Sequence, residues 1–191
     1  EKASQNDYLI TLGIQPTRPD TGYGYIQFSE EKSAEICKVK TFTEKPNLET
    51  AEKFLATKEY LWNAGIFIWN VKSIQKAFEN YLPKMAEQFK TEAYNTEKEA
   101  PYIEEIYPNV EKISIDNGIL EKADNVYVIP ADLGWSDLGT WTSVFENAER
   151  DENNNTISNN CNVYNAKGNI IRLKNTEKTA VVDGLTDYIV I

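Results

Sequence analysis

The sequence has 191 residues, of which 41% are hydrophobic, 12% aromatic and 26% charged. This length and composition predict one globular domain, or one domain with a small appendage, and they exclude a wholly disordered chain. Thirty acidic against twenty basic residues give a net charge of −10, which disfavours nucleic acid and anionic membranes as partners. An anionic small substrate would need a local cluster of Lys or Arg.

Histidine is absent from the sequence, which removes the commonest general base and metal ligand. Any chemistry must therefore use carboxylates, Lys, Arg, hydroxyls or an oxygen-ligated metal. The two cysteines, Cys37 and Cys161, lack metal-ligand spacing, so we expect two reduced thiols and no disulfide framework. No apolar run has the length that spans a bilayer and no signal-peptide pattern is present, which indicates a cytoplasmic protein.

The first half of the chain alternates strand and helix signals. The β-branched apolar run at residues 8–14 predicts a buried strand, and the apolar spacing at residues 48–55 predicts an amphipathic helix. A second amphipathic helix is expected after the N-cap candidate Ser73. Between the helices, residues 66–69 predict a central strand that is entered through a turn at Gly65.

The second half begins with helical signals and ends in short β-prone pieces. Two short helices are expected within residues 83–108, followed by a helix capped by Ser114 and a strand at residues 126–129. Thr140 is the N-cap candidate of a further helix. We expect residues 1–150 to form the main domain. Residues 151–191 would be a polar surface linker and a β-rich segment, either a β-meander or the first coils of a β-solenoid.

Four short motifs contain residue types suited to binding a sugar phosphate. The glycines of PTRPDTGYGYI let a backbone approach a ligand closely. In FTEKP, the Glu44 carboxylate can accept sugar hydroxyls and the Lys45 ammonium can attract a phosphate. In WNAGIF, the Asn63 amide both donates and accepts. In GWSDLGTW, Asp137 can hold a divalent cation together with substrate phosphates. Taken alone, WNAGIF is equally compatible with a core Trp and a capping Asn, and the other three motifs favour a turn or a solvated ion pair.

Five motifs in this order, PTRPDTGYGYI, FTEKP, WNAGIF, SIDNGILEKA and GWSDLGTW, resemble the mannose-1-phosphate guanylyltransferase family of sugar-nucleotide pyrophosphorylases. The resemblance extends from about Ile10 to Asp183. It implies an α/β fold of the nucleotide-diphospho-sugar transferase type, with a Rossmann-like mixed sheet flanked by helices and a small C-terminal β-rich segment.

The resemblance also implies a set of functional residues and a reaction. Lys45 and Asp137 would be catalytic, and Asp137 would also bind the divalent metal, expected to be Mg²⁺. Six residues would bind the sugar phosphate: Tyr23, Gly24, Glu44, Lys45, Asn63 and, on a weaker match, Asp116. The family reaction joins mannose 1-phosphate and GTP to give GDP-mannose and pyrophosphate.

The sequence lacks a counterpart of the family's N-terminal Gly-rich loop, which holds the nucleotide, and of its first metal-binding aspartate. We therefore expect an inactive fragment that carries the sugar-phosphate half of the site. A partial sheet would leave strand edges and an apolar face uncovered, so a homo-oligomer is an accompanying expectation.

Two alternatives remain open from the sequence. The first is a pyrophosphorylase for another sugar 1-phosphate or nucleotide. The second is a non-catalytic assembly module, in which the β-rich segment pairs with another subunit. Convergence of Glu44, Lys45, Asn63 and Asp137 on one pocket would weaken the second alternative.

Overall fold

The computed structural model describes residues 1–29, 35–158, 160–175 and 177–191. They form two compact units, Glu1–Trp135 and Ser136–Ile191. This division falls before the boundary that the sequence predicts at residue 150. Within the second unit, the Thr156 hydroxyl donates to the carbonyl of Glu149 and the backbone N–H of Asn155 donates to Asp151. These bonds give residues 149–156 a defined local conformation.

A closed ring of strands forms the centre of the first unit. In the part of this unit that the structure describes, the ring order is β1, β4, β2, β3, β5, with β1 and β5 parallel and every other pair antiparallel. The ranges are β1 (Leu9–Ile14), β2 (Tyr25–Phe28), β3 (Cys37–Thr43), β4 (Tyr60–Ile68) and β5 (Val126–Ala131). The mixed sheet and the α/β class are thus confirmed.

The ring closes where β3 meets β5, through the pairs Cys37 with Val128 and Lys38 with Tyr127. Each of the five ring strands therefore has two neighbours, and the uncovered strand edges expected from a partial Rossmann-like sheet do not occur among them. The main core cluster of this unit joins strand residues to residues of its helices, and it contains Leu9, Ile26 and Val128, all fully buried. Burial of such side chains stabilises a domain by about 2 kcal/mol each.

Helices surround the ring, and the two longest of those described begin at asparagine side-chain caps. The helices are α1 (Lys2–Gln5), α2 (Leu48–Thr57), α3 (Val71–Tyr81), α4 (Pro83–Gln88) and α5 (Glu99–Ile106), with a 3₁₀ turn at Tyr107–Asn109 and a π-helical turn at Asp116–Leu120. The predicted helices at residues 48–55 and within 83–108 are confirmed. The helix expected after Ser114 is the π-helical turn, although the Ser114 hydroxyl does accept from the backbone of Asn117.

Two local predictions are wrong. The cap of α3 is Asn70, whose side chain accepts from the backbone N–H of Ser73 and donates to the carbonyls of Ala3 and Asn6. These bonds to a distant segment select Asn70 over Ser73. Gly65 does not form a turn before a strand, because it lies within β4 with a φ of 68°.

The second unit begins with α6 (Trp141–Asn147), capped by Thr140 as predicted. Parallel strands follow it: β6 (Thr156–Ile157), β7 (Cys161–Tyr164), β8 (Ile170–Ile171), β9 (Ala180–Asp183) and β10 (Ile189–Val190). The pairs β6 with β8, β8 with β10, and β7 with β9 are all parallel. Parallel pairing is that of a coiled β-solenoid, since a meander is antiparallel. We call residues 155–190 the solenoid.

Cys37 is buried, Cys161 is half-buried, and no disulfide joins them. Within the described ranges, no helix is long and apolar enough to cross a bilayer.

Candidate functional site

An irregularity in the strand ring places Asn63 at the centre of the candidate site. The pairing of β1 with β4 shifts between Thr11, which faces Phe67, and Gly13, which faces Asn63. The additional β4 residues form a bulge that contains Gly65, whose left-handed φ of 68° suits a residue without a side chain. Bulges of this kind redirect side chains near functional sites. Here the bulge lies beside Asn63.

Asn63 is held by four hydrogen bonds. Its backbone N–H donates to the carbonyl of Gly24 over 2.8 Å. Its side-chain Oδ1 accepts from the Thr11 hydroxyl over 2.7 Å and from the Gly65 N–H over 3.3 Å. Its Nδ2 donates to Oδ1 of Asp116 over 3.1 Å. These bonds bring together the predicted residues Gly24, Asn63 and Asp116.

Glu44 and Lys45 follow the end of β3 and contact each other through the Lys45 ammonium and the Glu44 carboxylate. Lys45 has a φ of 45°, an unusual conformation for a residue with a side chain. The Glu44 side chain is 14% exposed, whereas that of Lys45 is 62% exposed. A Cβ added to Gly24 would lie 2.5 Å from Oε2 of Glu44, so this carboxylate covers the Gly24 backbone.

Asp116 lies in the same electrostatic environment. Burial raises the pKa of its carboxyl above the ordinary value of 3.8, and the negative charge of Glu44 raises it further. The charge of Lys45 and the hydrogen bond from Asn63 oppose this rise. The site therefore contains two carboxylates that repel each other and one ammonium that attracts both.

Aromatic side chains form one side of the site region. The Tyr23 ring packs edge-on against Trp62, with centroids 5.0 Å apart, and against Trp135, with centroids 5.4 Å apart. Arg18 lies over the Trp62 ring at 5.6 Å and forms an ion pair with Asp20. The sequence prediction included Tyr23 but neither Arg18 nor Thr11. The arginine in PTRPDTGYGYI was the available signal for Arg18, whereas Thr11 gave none.

Asp137 belongs to the second unit. Its Oδ1 accepts from the backbone N–H of Gly139 over 3.0 Å, which forms a tight local turn before α6. Of the residues predicted to bind the sugar phosphate, the first unit thus contains all six: Tyr23, Gly24, Glu44, Lys45, Asn63 and Asp116. Glu44, Lys45 and Asn63 lie close to Gly24 and Asp116 within the first unit. Asp137 belongs to the other unit, so the convergence of all four residues that would weaken the assembly-module alternative stays a prediction.

Comparison with known proteins is consistent with this geometry. Residues 1–154 match the family model described as Nucleotidyl transferase. The chain belongs to the nucleotidyl transferase family. Two relatives named mannose-1-phosphate guanylyltransferase, from Escherichia coli and Sinorhizobium fredii, are 33% and 35% identical to this chain over 96% of its length. The chain spans 40% and 36% of those relatives.

A solved structure from Thermus thermophilus, described as a mannose-1-phosphate geranyltransferase, has a similar fold. It superposes with a TM-score of 0.77 at 27% identity, covering 97% of the present chain and 53% of the solved one. The family resemblance inferred from the five motifs is therefore confirmed, and the chain is part of an enzyme family.

Nucleotidyl transferases generally use a divalent metal ion. Among the residues that the structure describes, no three His, Cys, Asp or Glu side chains are grouped as a ready-made metal site. Asp137 offers a single carboxylate, which suits an ion such as Mg²⁺ that takes one or two protein carboxylates and completes its shell with phosphates and water. The donor chemistry of this residue therefore fits a substrate-dependent metal site.

Proposed function

We propose that this chain carries the sugar-phosphate half of the active site of a mannose-1-phosphate guanylyltransferase. The complete enzyme would form GDP-mannose and pyrophosphate from mannose 1-phosphate and GTP. The supporting observation is the cluster of Gly24, Glu44, Lys45, Asn63 and Asp116, which combines two carboxylates, one amide and one ammonium within the first unit.

Each group in this cluster suits one part of a hexose phosphate. The carboxylates of Glu44 and Asp116 accept hydrogen bonds from sugar hydroxyls, and the Asn63 amide donates to a hydroxyl oxygen. The Lys45 ammonium, which is largely exposed, balances the phosphate charge. Because the chain has a net charge of −10, this local cation is needed to attract an anionic substrate.

The reaction requires no protein base. A sugar phosphate has a second pKa near 6 and is mostly a dianion at neutral pH. One of its oxygens forms the new bond to the α-phosphorus of GTP, and the bond from that phosphorus to the bridging oxygen breaks, which releases pyrophosphate. The absence of histidine is compatible with this step. Catalysis then depends on positioning and charge neutralisation.

In this scheme Lys45 would orient and neutralise the phosphate, and Asp137 would help to hold Mg²⁺. The ion, when bound, would neutralise charge on the phosphates. We also propose that these 191 residues alone do not catalyse guanylyl transfer, since they span about two fifths of the relatives' length.

Calorimetric titration of the purified chain with mannose 1-phosphate and Mg²⁺ tests the proposal. Glu44→Gln removes the charge but keeps the shape, and we expect it to weaken binding at least about tenfold, the effect of losing a positioned polar contact. Glu49→Gln is the matched control, because Glu49 is an exposed carboxylate paired only with Lys53 across one turn of α2 among the ion pairs described.

Glucose 1-phosphate serves as the comparison ligand. Tighter binding of the mannose compound, lost in Glu44→Gln and kept in Glu49→Gln, would support the assignment. Equal binding of both sugar phosphates would favour a pyrophosphorylase of different sugar specificity. Binding that is unaffected by Glu44→Gln would refute the proposed site.

A further inference from the structure

Thr11 is a buried polar side chain whose best partner belongs to the candidate site. It is fully buried in β1, and its hydroxyl lies 2.7 Å from Oδ1 of Asn63. Its other acceptors are more distant, at 3.4 Å for the carbonyl of Ile66 and 3.5 Å for that of Leu12. Since a hydroxyl has one proton, the bond to Asn63 takes it.

The partners of the Asn63 side chain define its orientation from two directions. The Gly65 N–H can only donate, so the atom that faces it must be the oxygen Oδ1. When the Asp116 carboxylate is ionised it can only accept, so the atom that then faces it must be Nδ2. The bond from Gly65 is long at 3.3 Å, which leaves the bond from Thr11 as the main restraint on the oxygen.

A reversed amide would turn Oδ1 towards the Asp116 carboxylate and place two acceptors against each other. It would also leave the Thr11 hydroxyl facing an NH₂ group. In the observed orientation, the bond to Asp116 uses one of the two Nδ2 hydrogens and one of the carboxylate oxygens. The second Nδ2 hydrogen of Asn63 and the second carboxylate oxygen of Asp116 can then bind adjacent hydroxyls of a ligand.

We propose that Thr11 is a positioning residue of the sugar-phosphate site: its buried hydroxyl fixes the Asn63 amide so that Asn63 and Asp116 present a paired donor and acceptor to adjacent sugar hydroxyls. This inference rests on the proposed function for the identity of the ligand. The orientation itself depends only on the residues of the chain.

The test uses Thr11→Val, which keeps the shape and removes the hydroxyl, and Thr11→Ser, which keeps the hydroxyl. Thr156→Val makes the same change at a buried threonine of the solenoid. The first readout is the Asp116 pKa, which is measured by an NMR titration of labelled carboxyl groups. The charged groups that act on this carboxyl are Glu44 and Lys45, and none of the three variants alters them.

We expect Thr11→Val to raise the Asp116 pKa further, because it loses a donor from Asn63, and to weaken mannose 1-phosphate binding about tenfold. Thr11→Ser and Thr156→Val should leave both quantities close to those of the unsubstituted chain. An unchanged Asp116 pKa in a folded Thr11→Val protein would overturn the inference. Equal losses in Thr11→Val and Thr11→Ser would also overturn it, because the methyl group would then be responsible.

A measurement on the unsubstituted chain covers the case in which Thr11→Val does not fold. The Asn63 side-chain amide should rotate much more slowly by NMR than that of the exposed Asn162. Similar rotation rates would contradict the inference. If the chain binds no sugar phosphate but Asn63 is fixed and the Asp116 pKa responds to Thr11→Val, the proposed ligand is wrong and the positioning role stands. If the chain binds mannose 1-phosphate but the Asn63 side-chain amide rotates freely, the proposed ligand stands and the positioning role of Thr11 is wrong.

Discussion

Asn63 in the strand ring and Asn169 in the solenoid both have several hydrogen-bond partners, but they use their amides differently. Asn169 is fully buried, and its Nδ2 donates to Asn155 and to the carbonyl of Leu185 while its Oδ1 accepts from Tyr188. All of its donor capacity is used within the solenoid. Asn63 is only partly buried and uses one Nδ2 hydrogen. Asn63 therefore has one amide hydrogen left for a ligand, whereas both amide hydrogens of Asn169 hold the solenoid together.

The largest expected effect is on the solenoid. Asn169→Ala would leave the backbone N–H of Tyr188 and the carbonyl of Leu185 without their side-chain partner. We expect a loss of about 3 kcal/mol in the free energy of unfolding of this unit, from the desolvation of unpaired buried groups. Hydrogen exchange should show the loss at Tyr188. Asn162→Ala, at an exposed position in β7, is the control and should change little.

Asn63→Ala should reduce ligand affinity strongly and stability only slightly. The Thr11 hydroxyl can turn to the carbonyl of Ile66, so we expect only about 1 kcal/mol of destabilisation. Mannose 1-phosphate affinity should fall at least about tenfold, because the paired donor is lost. Calorimetry and urea unfolding on the same variant measure both quantities. A stability loss as large as that of Asn169→Ala would contradict the distinction between the two amides.

Alanine substitutions at Gly24 and Gly65 distinguish the effect of a side chain close to Glu44 from the effect of backbone strain. The Cβ added in Gly24→Ala would lie 2.5 Å from the Glu44 carboxylate, which is the end of a side chain and can move. We therefore expect a several-fold loss of affinity and less than about 1 kcal/mol of destabilisation. Gly65→Ala is the counterpart, because its Cβ meets nothing within 4 Å but its φ of 68° strains an alanine. It should cost about 1 kcal/mol of stability.

The smallest effects concern two carboxyls whose pKa values shift in opposite directions. Burial and the charge of Glu44 raise the pKa of Asp116, so its ionisation destabilises the folded state and stability falls as pH rises through its pKa. For Asp151, burial raises the pKa but hydrogen bonds from Asn155 and Asn153 outweigh it, so the net shift is downward. Ionised Asp151 therefore stabilises the folded state above pH 3.8, and this stabilisation is lost as pH falls through the pKa of the folded state.

Urea unfolding at several pH values checks both signs. Relative to the unsubstituted chain, Asp116→Asn should gain stability as pH rises from about 3 to 7, while Asp151→Asn should lose it. Two variants that change in the same direction would show that the environments of these carboxyls do not differ as described.

Local patterns predicted the elements whose partners are close in sequence. The amphipathic spacing of α2 and the cap of α6 at Thr140 were correct, because helix formation depends on residues three and four apart. The same reasoning failed for α3, where both Asn70 and Ser73 are good cap residues. The choice depends on the carbonyls of Ala3 and Asn6, more than sixty residues away. Sequence spacing contains no information about those partners.

The sequence alone determined the α/β class and the nucleotidyl transferase family, and it predicted a set of site residues, since each is contained in local composition or in the order of five motifs. Only the tertiary structure decided the closed strand ring, the parallel solenoid and the contact between Thr11 and Asn63. The reason is distance along the chain. Thr11 bonds a residue 52 positions later, and Asn63 bonds one 53 positions beyond that. Such contacts depend on strand register and a bulge, which side-chain pattern does not specify.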